Sequence, residues 1–493
     1  MKNKKNISEL LKTCESEKLQ FSNSIQNYGI LIRLESESRC ITHISRNFKD
    51  FFDLSEEDVL GKPSEILGFP FLSTEIDRLN KQKNNRIISN NFVESKIAWM
   101  DAIFIKNGDG LIIELLPSNV HHPQEFTFKN YHFESQKIPR TSDDLNTYNQ
   151  NLVDSISGIT GYDRVLLYRF DKDWSGEVLA EKVIREDLNT YLGLRFPSSD
   201  IPQIARNLYL INPYRYIENT ESQTVPILSY RGDPIDLSDT VLRSVSSLHI
   251  QYLKNMGVVS SFSISIKISN KLWGLISCHN QIGKPLSLDV RQRSTQYVNN
   301  FSIGLSAYLS TSKLQRISGQ ERKLEEVMEE ILKIGDLKES IQINSHLFMN
   351  LLKSSGIALY INEEVFFKGK TPSREEMDAF DKDFENNFEF FLMEDHIMDK
   401  FPSSGIAGIM AIRVISRNLN RIRFYWFREE MISQVAWAGN PEKSNPDNSE
   451  EGVLTPRKSF EKWIEIKKGQ SESWTGEDSL LATKIRNNIL RWM

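Results

Sequence analysis

The chain has 493 residues, 39% of them hydrophobic and 26% charged, and carries a formal net charge of -5. Those proportions are ordinary for globular proteins and exclude a disordered chain, while a length prior of roughly 100–200 residues per domain implies about three domains. A small net charge over such a length excludes a general attraction to polyanions, so nucleic acid is not an expected partner. No apolar run approaches the roughly 18 residues of a membrane span. The basic start MKNKKNISELLKTC lacks the apolar core of a secretory signal, so a cytoplasmic location without a membrane partner is expected. Cys14, Cys40 and Cys278 are too few and too scattered for a disulfide framework or a metal site.

Between Phe21 and Leu116, the strand-like runs GILIRL, IAWMDAIFI and GLIIELL surround a short amphipathic helix near Glu56–Leu60, which predicts a small α+β domain. A polar stretch from Pro117 to Asp144 reads as a linker to a second α+β block that runs to about Pro285. From Leu288 to Leu332 one segment poor in Gly and Pro carries Val290, Tyr297, Phe301, Leu305 and Tyr308, spaced by seven, four, four and three. That is helical spacing, and about 45 residues at 1.5 Å each give a helix near 65 Å. Two readings fit it: a core-facing stripe within one domain, or a connector that also pairs with a second subunit. The third block, Lys333 to Met493, alternates strands (GIALYI, GIMAIRVI, RIRFYWF) with helical segments and holds a polar insertion at Asn440–Glu451. Such an insertion is expected to project from its domain.

Three runs in the second block carry unusual chemistry. In Phe196-Pro197-Ser198-Ser199-Asp200-Ile201-Pro202 the two prolines fix φ and disfavour helix, which places Asp200 in a stiff turn. An N-cap for the following helix fits that position equally well. Ser261-Phe262-Ser263-Ile264-Ser265 alternates hydroxyl and apolar residues, so one strand face is core and the other is serine. The serine face suits either solvent or the wall of a ligand cavity. Arg243, Ser246 and His249 lie upstream, and the strand Leu272–His279 ends on a histidine.

Taken together, YLGLRFPSSDIPQIARNLYL, VLRSVSSLHIQYLKNMGVVSSFSISIKI and KLWGLISCHN resemble the chromophore-binding GAF domain of bacteriophytochromes. GYDRVLLYRFDKDWSGEVLAE resembles the start of that domain, and VAWAGNP with LTPRKSFEKW its PHY-domain tongue, so the resemblance spans the chain. It implies three α+β domains with antiparallel sheets flanked by helices and a long connecting helix. Their limits would be an N-terminal extension at 1–20, a PAS domain at 21–120, a GAF domain at 130–310, and a PHY domain at 311–493 with its tongue near 432–470. Ile25 and its neighbours would pass through a loop of the GAF domain, a figure-of-eight knot between PAS and GAF.

The resemblance also implies a red/far-red photoreceptor that carries biliverdin IXα as a thioether on Cys14. The alternative is a GAF-based small-metabolite sensor without a bilin. Asn27-Tyr28 stands where the family has Pro-His, and Ile250 stands where plant and cyanobacterial relatives attach the pigment. Carried over residue by residue, Arg215 and Arg243 meet the propionates, with Tyr209, Ser246, Ser261 and Ser263 as hydroxyl donors. His249 and Asp200, flanked by Ile201 and Pro202, hold the pyrrole N–H groups, and His279 meets the D-ring carbonyl. Tyr168, Tyr191, Phe196 and Tyr252 box that ring. Asp200 alternates between Arg457 and Ser459 of a tongue that also includes Trp437, Pro456, Phe460 and Trp463 and converts between strand and helix. The chain itself catalyses nothing. A homodimer, and a downstream output domain or response regulator of two-component signalling, are the implied partners. In full-length members the output is often a light-regulated histidine kinase.

Overall fold

The computed structural model describes residues 19–118, 137–334, 336–387, 389–415, 421–441 and 459–492. Cys14, Pro456, Arg457 and most of the polar insertion lie outside them. The chain divides into two compact units: one runs to Tyr308 and includes Ala436–Trp463, and the other comprises Leu309–Val435 and Ile464–Met493.

The first unit contains two sheets. One places Ile41–Ser45, Ile30–Glu35, Gly110–Pro117, Trp99–Asn107 and Arg86–Glu94 side by side, all antiparallel. The three strands anticipated from apolar runs are present. Ile41–Ser45 and Arg86–Glu94 were not anticipated, because ITHIS and RIISNNFVE interleave polar residues and the second carries a bulge after Ser89. A reciprocal Ser55/Asp58 capping box starts the expected short helix, Glu56–Val59.

This sheet is buried on both faces. Ile30, Ile32, Leu34, Phe104, Ile113 and Leu115 pack under its own short helices. The alternate residues Leu31, Ile103, Ile105, Ile112 and Leu116 enter a core shared with Val153, Ile156, Tyr216 and Phe262 of the next block. One continuous core explains why two sequence blocks make a single compact unit. Gly29 allows the close approach, since a Cβ there would stand 2.7 Å from Leu115 O and 2.8 Å from Leu242 Cδ2.

The second sheet runs Tyr214–Ile217, Ser260–Ile268, Lys271–Asn280, Arg164–Phe170, Gly176–Val183 and Arg195–Phe196. Its neighbours are antiparallel. One face packs on the helix Ser142–Thr160, which a Thr141/Asp144 capping box starts and left-handed Gly161 (φ 63°) ends, and on the first turns of Leu288–Leu332. Over the other face lie Gln203–Ile211, which buries no residue completely, and Ser247–Asn255, which buries only Leu253. Residues Ser24–Ile25 pair with Val225–Pro226 on one side, while Ile25 bridges to Arg243 on the other. The residues before 19, which lead into the expected crossing, lie outside the described residues.

The expected long helix spans Leu288–Leu332, 45 residues. Phe301 and Leu305 are buried in the first unit and Leu324, Val327 and Ile331 in the second, so it is both a core stripe and a connector. In the second unit five antiparallel strands run in the order Glu364–Gly369, Gly356–Ile361, Arg421–Glu429, Ile406–Ile415, Phe391–Glu394. Ile422, Phe424 and Trp426 face one core, and Tyr425 and Phe427 the other, which is why RIRFYWF reads as an unbroken apolar run.

Candidate functional site

The site lies on the second sheet of the first unit, at the strand Ser260–Ile268. Ser263 stands opposite Arg215 on one neighbouring strand and Ser277 on the other, and Ser261 opposite Ile217 and His279. Ser261 is buried and Ser263 half-buried, so the serine face is not a solvent face. Tyr209, from the helix Gln203–Ile211, hydrogen-bonds Ser263.

Arg215 donates through Nη2 to Arg243 O and, at 2.8 Å, to Ser244 O. Arg243 is only 6% exposed, and its Nε has no partner. Desolvation and then the neighbouring Arg215 charge disfavour the Arg243 cation. A buried cation beside a half-buried one, with a free donor, forms a site for an anion, and a guanidinium fork is suited to a carboxylate.

His279 closes the other end. Its Nε2 is 3.0 Å from Ser277 Oγ, and its buried Nδ1 has no partner. Burial first, then the Arg164 guanidinium and His249, hold His279 down to about 3, and burial followed by Arg215 lowers His249 as well. Both rings are therefore neutral at physiological pH in the folded chain, each with one donor and one acceptor nitrogen. The folded value of His279 lies below the ordinary one, so the unfolded chain takes up its proton first as pH falls below about 6.5. Stability is then fully present above that pH and lost below it, by at most about 1.4 kcal/mol per pH unit. Urea unfolding of the pigment-free protein at pH 7 and pH 5 is expected to show the loss. His279→Gln should remove part of it, and an identical slope in that variant would refute the assignment.

The aromatic residues fall into two groups. Tyr168, Tyr191 and Phe196 form one buried cluster, with Phe196 edge-on to both partners at centroid distances of 6.0 and 5.8 Å. Gly176 makes room for it, since a Cβ there would come 2.0 Å from Tyr168 Cζ. Tyr252 reaches them through Phe460, which it meets edge-on at 5.3 Å, and it stacks on His249 at 6.1 Å. Its hydroxyl donates to Asp200 Oδ2 at 2.9 Å. Asp200 sits in a 3₁₀ turn, Ser198–Asp200, and the next helix has Pro202 at its N-cap with no side-chain cap, which excludes the capping role for Asp200. Ile201 is half-buried beside the aromatic cluster. Ser246 is the N-cap residue of the helix that bears His249, and Ile25 is fully buried.

From the tongue, Trp437 pairs in parallel with Arg195, Gly439 N donates to Glu461 O at 2.8 Å, and Phe460 packs on the aromatic cluster. Ser459 is exposed, accepting from Glu461 N at 3.4 Å, and Trp463 is half-buried.

Sequence reading missed two supports of this site. Arg164 Nε lies 3.1 Å from Glu181 Oε1, both side chains being about 5% exposed or less, and the guanidinium covers the Tyr191 ring at 4.1 Å. Glu181 also accepts from Tyr191 N at 3.0 Å, Leu192 N at 3.2 Å and the Thr190 hydroxyl. The second is Glu114, fully buried, which accepts from Leu242 N at 2.7 Å and Val241 N at 3.1 Å. A lone acid inside GLIIELLP was the available signal.

Residues 14–118 match the PAS fold, 144–298 the GAF domain and 320–493 the Phytochrome region. The chain is 30% identical to the phytochrome-like protein Cph1 of Synechocystis, with 98% of this chain and 67% of that one covered. The chain belongs to the phytochrome family. Two further relatives at 30% identity are cyanobacterial phytochrome B of Nostoc (97% of this chain, 66% of that one) and a bacteriophytochrome of Pseudomonas aeruginosa (97% and 66%). The chain thus spans about two thirds of the length of these curated relatives. Among solved structures, bacteriophytochrome RpBphP3 from R. palustris superposes with a TM-score of 0.81 at 28% identity, covering 98% of this chain and 99% of that one. The photosensory core module of the Stigmatella aurantiaca phytochrome gives 0.80 at 29%, covering 97% of each. The α+β architecture of this phytochrome, with PAS, GAF and PHY domains, agrees with both. Among the described residues no helix is long and apolar enough to cross a membrane, and no cluster of side chains could hold a metal ion.

Proposed function

We propose that this chain is the light-sensing module of a phytochrome and holds biliverdin in the GAF cleft. The observation that carries the reading is the pair of partnerless buried nitrogens, Arg243 Nε and His279 Nδ1, beside a wall of Ser261 and Ser263, with His279 paired to Ser261 and Arg243 linked to Ser263 through Arg215. A bilin bears carboxylates and a lactam carbonyl, the groups such atoms take. The bound pigment supplies the light absorption and the double-bond rotation; attachment, orientation and electrostatics fall to the protein.

Arg243 and Arg215 bind the propionates, with Tyr209, Ser246, Ser261 and Ser263 as further donors. His249 and Asp200 face the pyrrole N–H groups, and His279 takes the D-ring carbonyl. Tyr168, Tyr191 and Phe196 restrict motion about that ring, with Tyr252 joining them from the helix Ser247–Asn255. Cys14 adds its sulfur to one vinyl carbon while the thiol proton ends on the other, giving a thioether. Asp200, held by Tyr252 in the arrangement described, exchanges partners with Arg457 and Ser459, and the tongue follows as a two-state element. Ile303 and Leu314, 70% and 65% exposed and about three turns apart on the long helix, supply an apolar stripe for a homodimer. The output, a histidine kinase or a response regulator, acts downstream.

The test is an absorption spectrum of the protein with biliverdin, before and after red and then far-red light, alongside Cys14→Ala. A band that shifts reversibly, and pigment that survives denaturation only with Cys14 present, is the expected result. Absence of binding would overturn the reading and favour another ligand for the cleft.

A further inference from the structure

The segment 236–244 of the GAF domain, which includes Arg243, is held largely from outside that domain. Asn107 Nδ2 donates to Asp236 O at 2.9 Å, and Leu237 N donates to Gln20 O at 2.8 Å. The Arg86 guanidinium donates to Asp239 O. Gln26 N donates to Leu242 O at 2.8 Å, and Ser244 N to Ser24 O at 3.0 Å. The one side-chain acceptor in this set is Glu114, which takes both Val241 N and Leu242 N. It shares a strand face with Ile112 and Leu116, the face that enters the joint core, so its carboxylate points from the PAS sheet into the GAF domain. Arg215 in turn is anchored on Arg243 O and Ser244 O. The stance of both guanidinium groups thus depends on a backbone that Glu114 fixes at two consecutive amides.

We infer that Glu114 is a positioning residue for the anion-binding pair Arg243 and Arg215, acting through the backbone of Val241–Leu242, so that the PAS domain sets how the GAF domain grips a ligand carboxylate. The inference rests on the GAF cleft being a bilin site. Removing one of the two acceptors leaves a buried amide unpaired, a loss of about 1–3 kcal/mol, or roughly fivefold to a hundredfold in an equilibrium. A defect confined to the carboxylate grip should spare a ligand without carboxylates. A general loss of packing would not discriminate.

The experiment compares biliverdin with its dimethyl ester on the full chain carrying Cys14→Ala, with and without Glu114→Gln. Glu114→Gln is expected to weaken biliverdin binding about tenfold or more and to leave the ester within about twofold. It should also speed amide exchange at 241–243 in the pigment-free protein, with the strand Ser260–Ile268 unchanged. Equal weakening of both pigments, or unchanged exchange at 241–243, overturns the inference. If the parent chain binds neither pigment while exchange responds as expected, the bilin reading fails and the backbone clamp stands. Should Glu114→Gln not fold, Glu114→Asp keeps the carboxyl group, shortens the reach by one methylene and carries the same comparison.

Discussion

Glu181→Ala is expected to destabilise the first unit by about 3–5 kcal/mol, because it strips the carboxylate from a buried guanidinium and leaves it only the Asn189 carbonyl as acceptor. Arg164 and Glu181 are both almost fully buried and lie 3.1 Å apart, so the charge left behind is poorly hydrated. The same substitution takes the acceptor from Tyr191 N, Leu192 N and the Thr190 hydroxyl. The loop that presents Tyr191 to the cleft would then lose its anchor together with the cation that covers its ring. Urea unfolding at neutral pH measures the effect. Glu181→Gln, which keeps an acceptor for the loop amides but no charge, should unfold between parent and alanine variant. A loss below about 1 kcal/mol for Glu181→Ala would mean that the pair is solvated or replaced by a neighbour.

In the second unit the corresponding weak point is Asp381. Arg423 grips it with two bonds, Nε to Oδ1 at 2.7 Å and Nη2 to Oδ2 at 2.9 Å, and the Tyr425 hydroxyl donates at 2.6 Å. The Arg423 side chain is 5% exposed and its next carboxylate, Glu385, is 3.9 Å away. Asp381→Ala therefore leaves a buried cation and a buried hydroxyl short of an acceptor, and about 3–5 kcal/mol of stability should go with them. Amide exchange should quicken in Gly356–Ile361 and Arg421–Glu429 while Ser260–Ile268 in the other unit stays protected. Faster exchange in both units alike would show that the two cores do not unfold independently.

Both weak points are buried acids, Glu181 on a strand and Asp381 on a helix, and neither was legible as an interaction from the sequence. A helical stripe or an apolar strand repeats with its own period, so Leu288–Leu332 and the strands RIRFYWF and GIMAIRVI could be read locally. The partner of a buried charge has no such local signature. Arg164 and Glu181 sit on neighbouring strands, Asp381 and Arg423 on a helix and a strand, and Glu114 lies 128 residues from the amide of Leu242. Tyr252 shows the same limit inside the site: its contacts with His249 and Asp200, the latter 52 residues away, have no local signature.

By itself, then, the sequence determined the family, the α+β class, the long helix and the order of the three blocks, because each follows from local periodicity or from motifs whose residues are adjacent in the chain. Only the tertiary structure decided that the first two blocks share one core, that Asp200 meets Tyr252 instead of capping a helix, and that Glu114 reaches across to the backbone behind Arg243. Those are contacts between residues far apart in sequence, set by how whole sheets pack. Burial of an apolar face specifies only that it is covered, and leaves to the fold which face covers it.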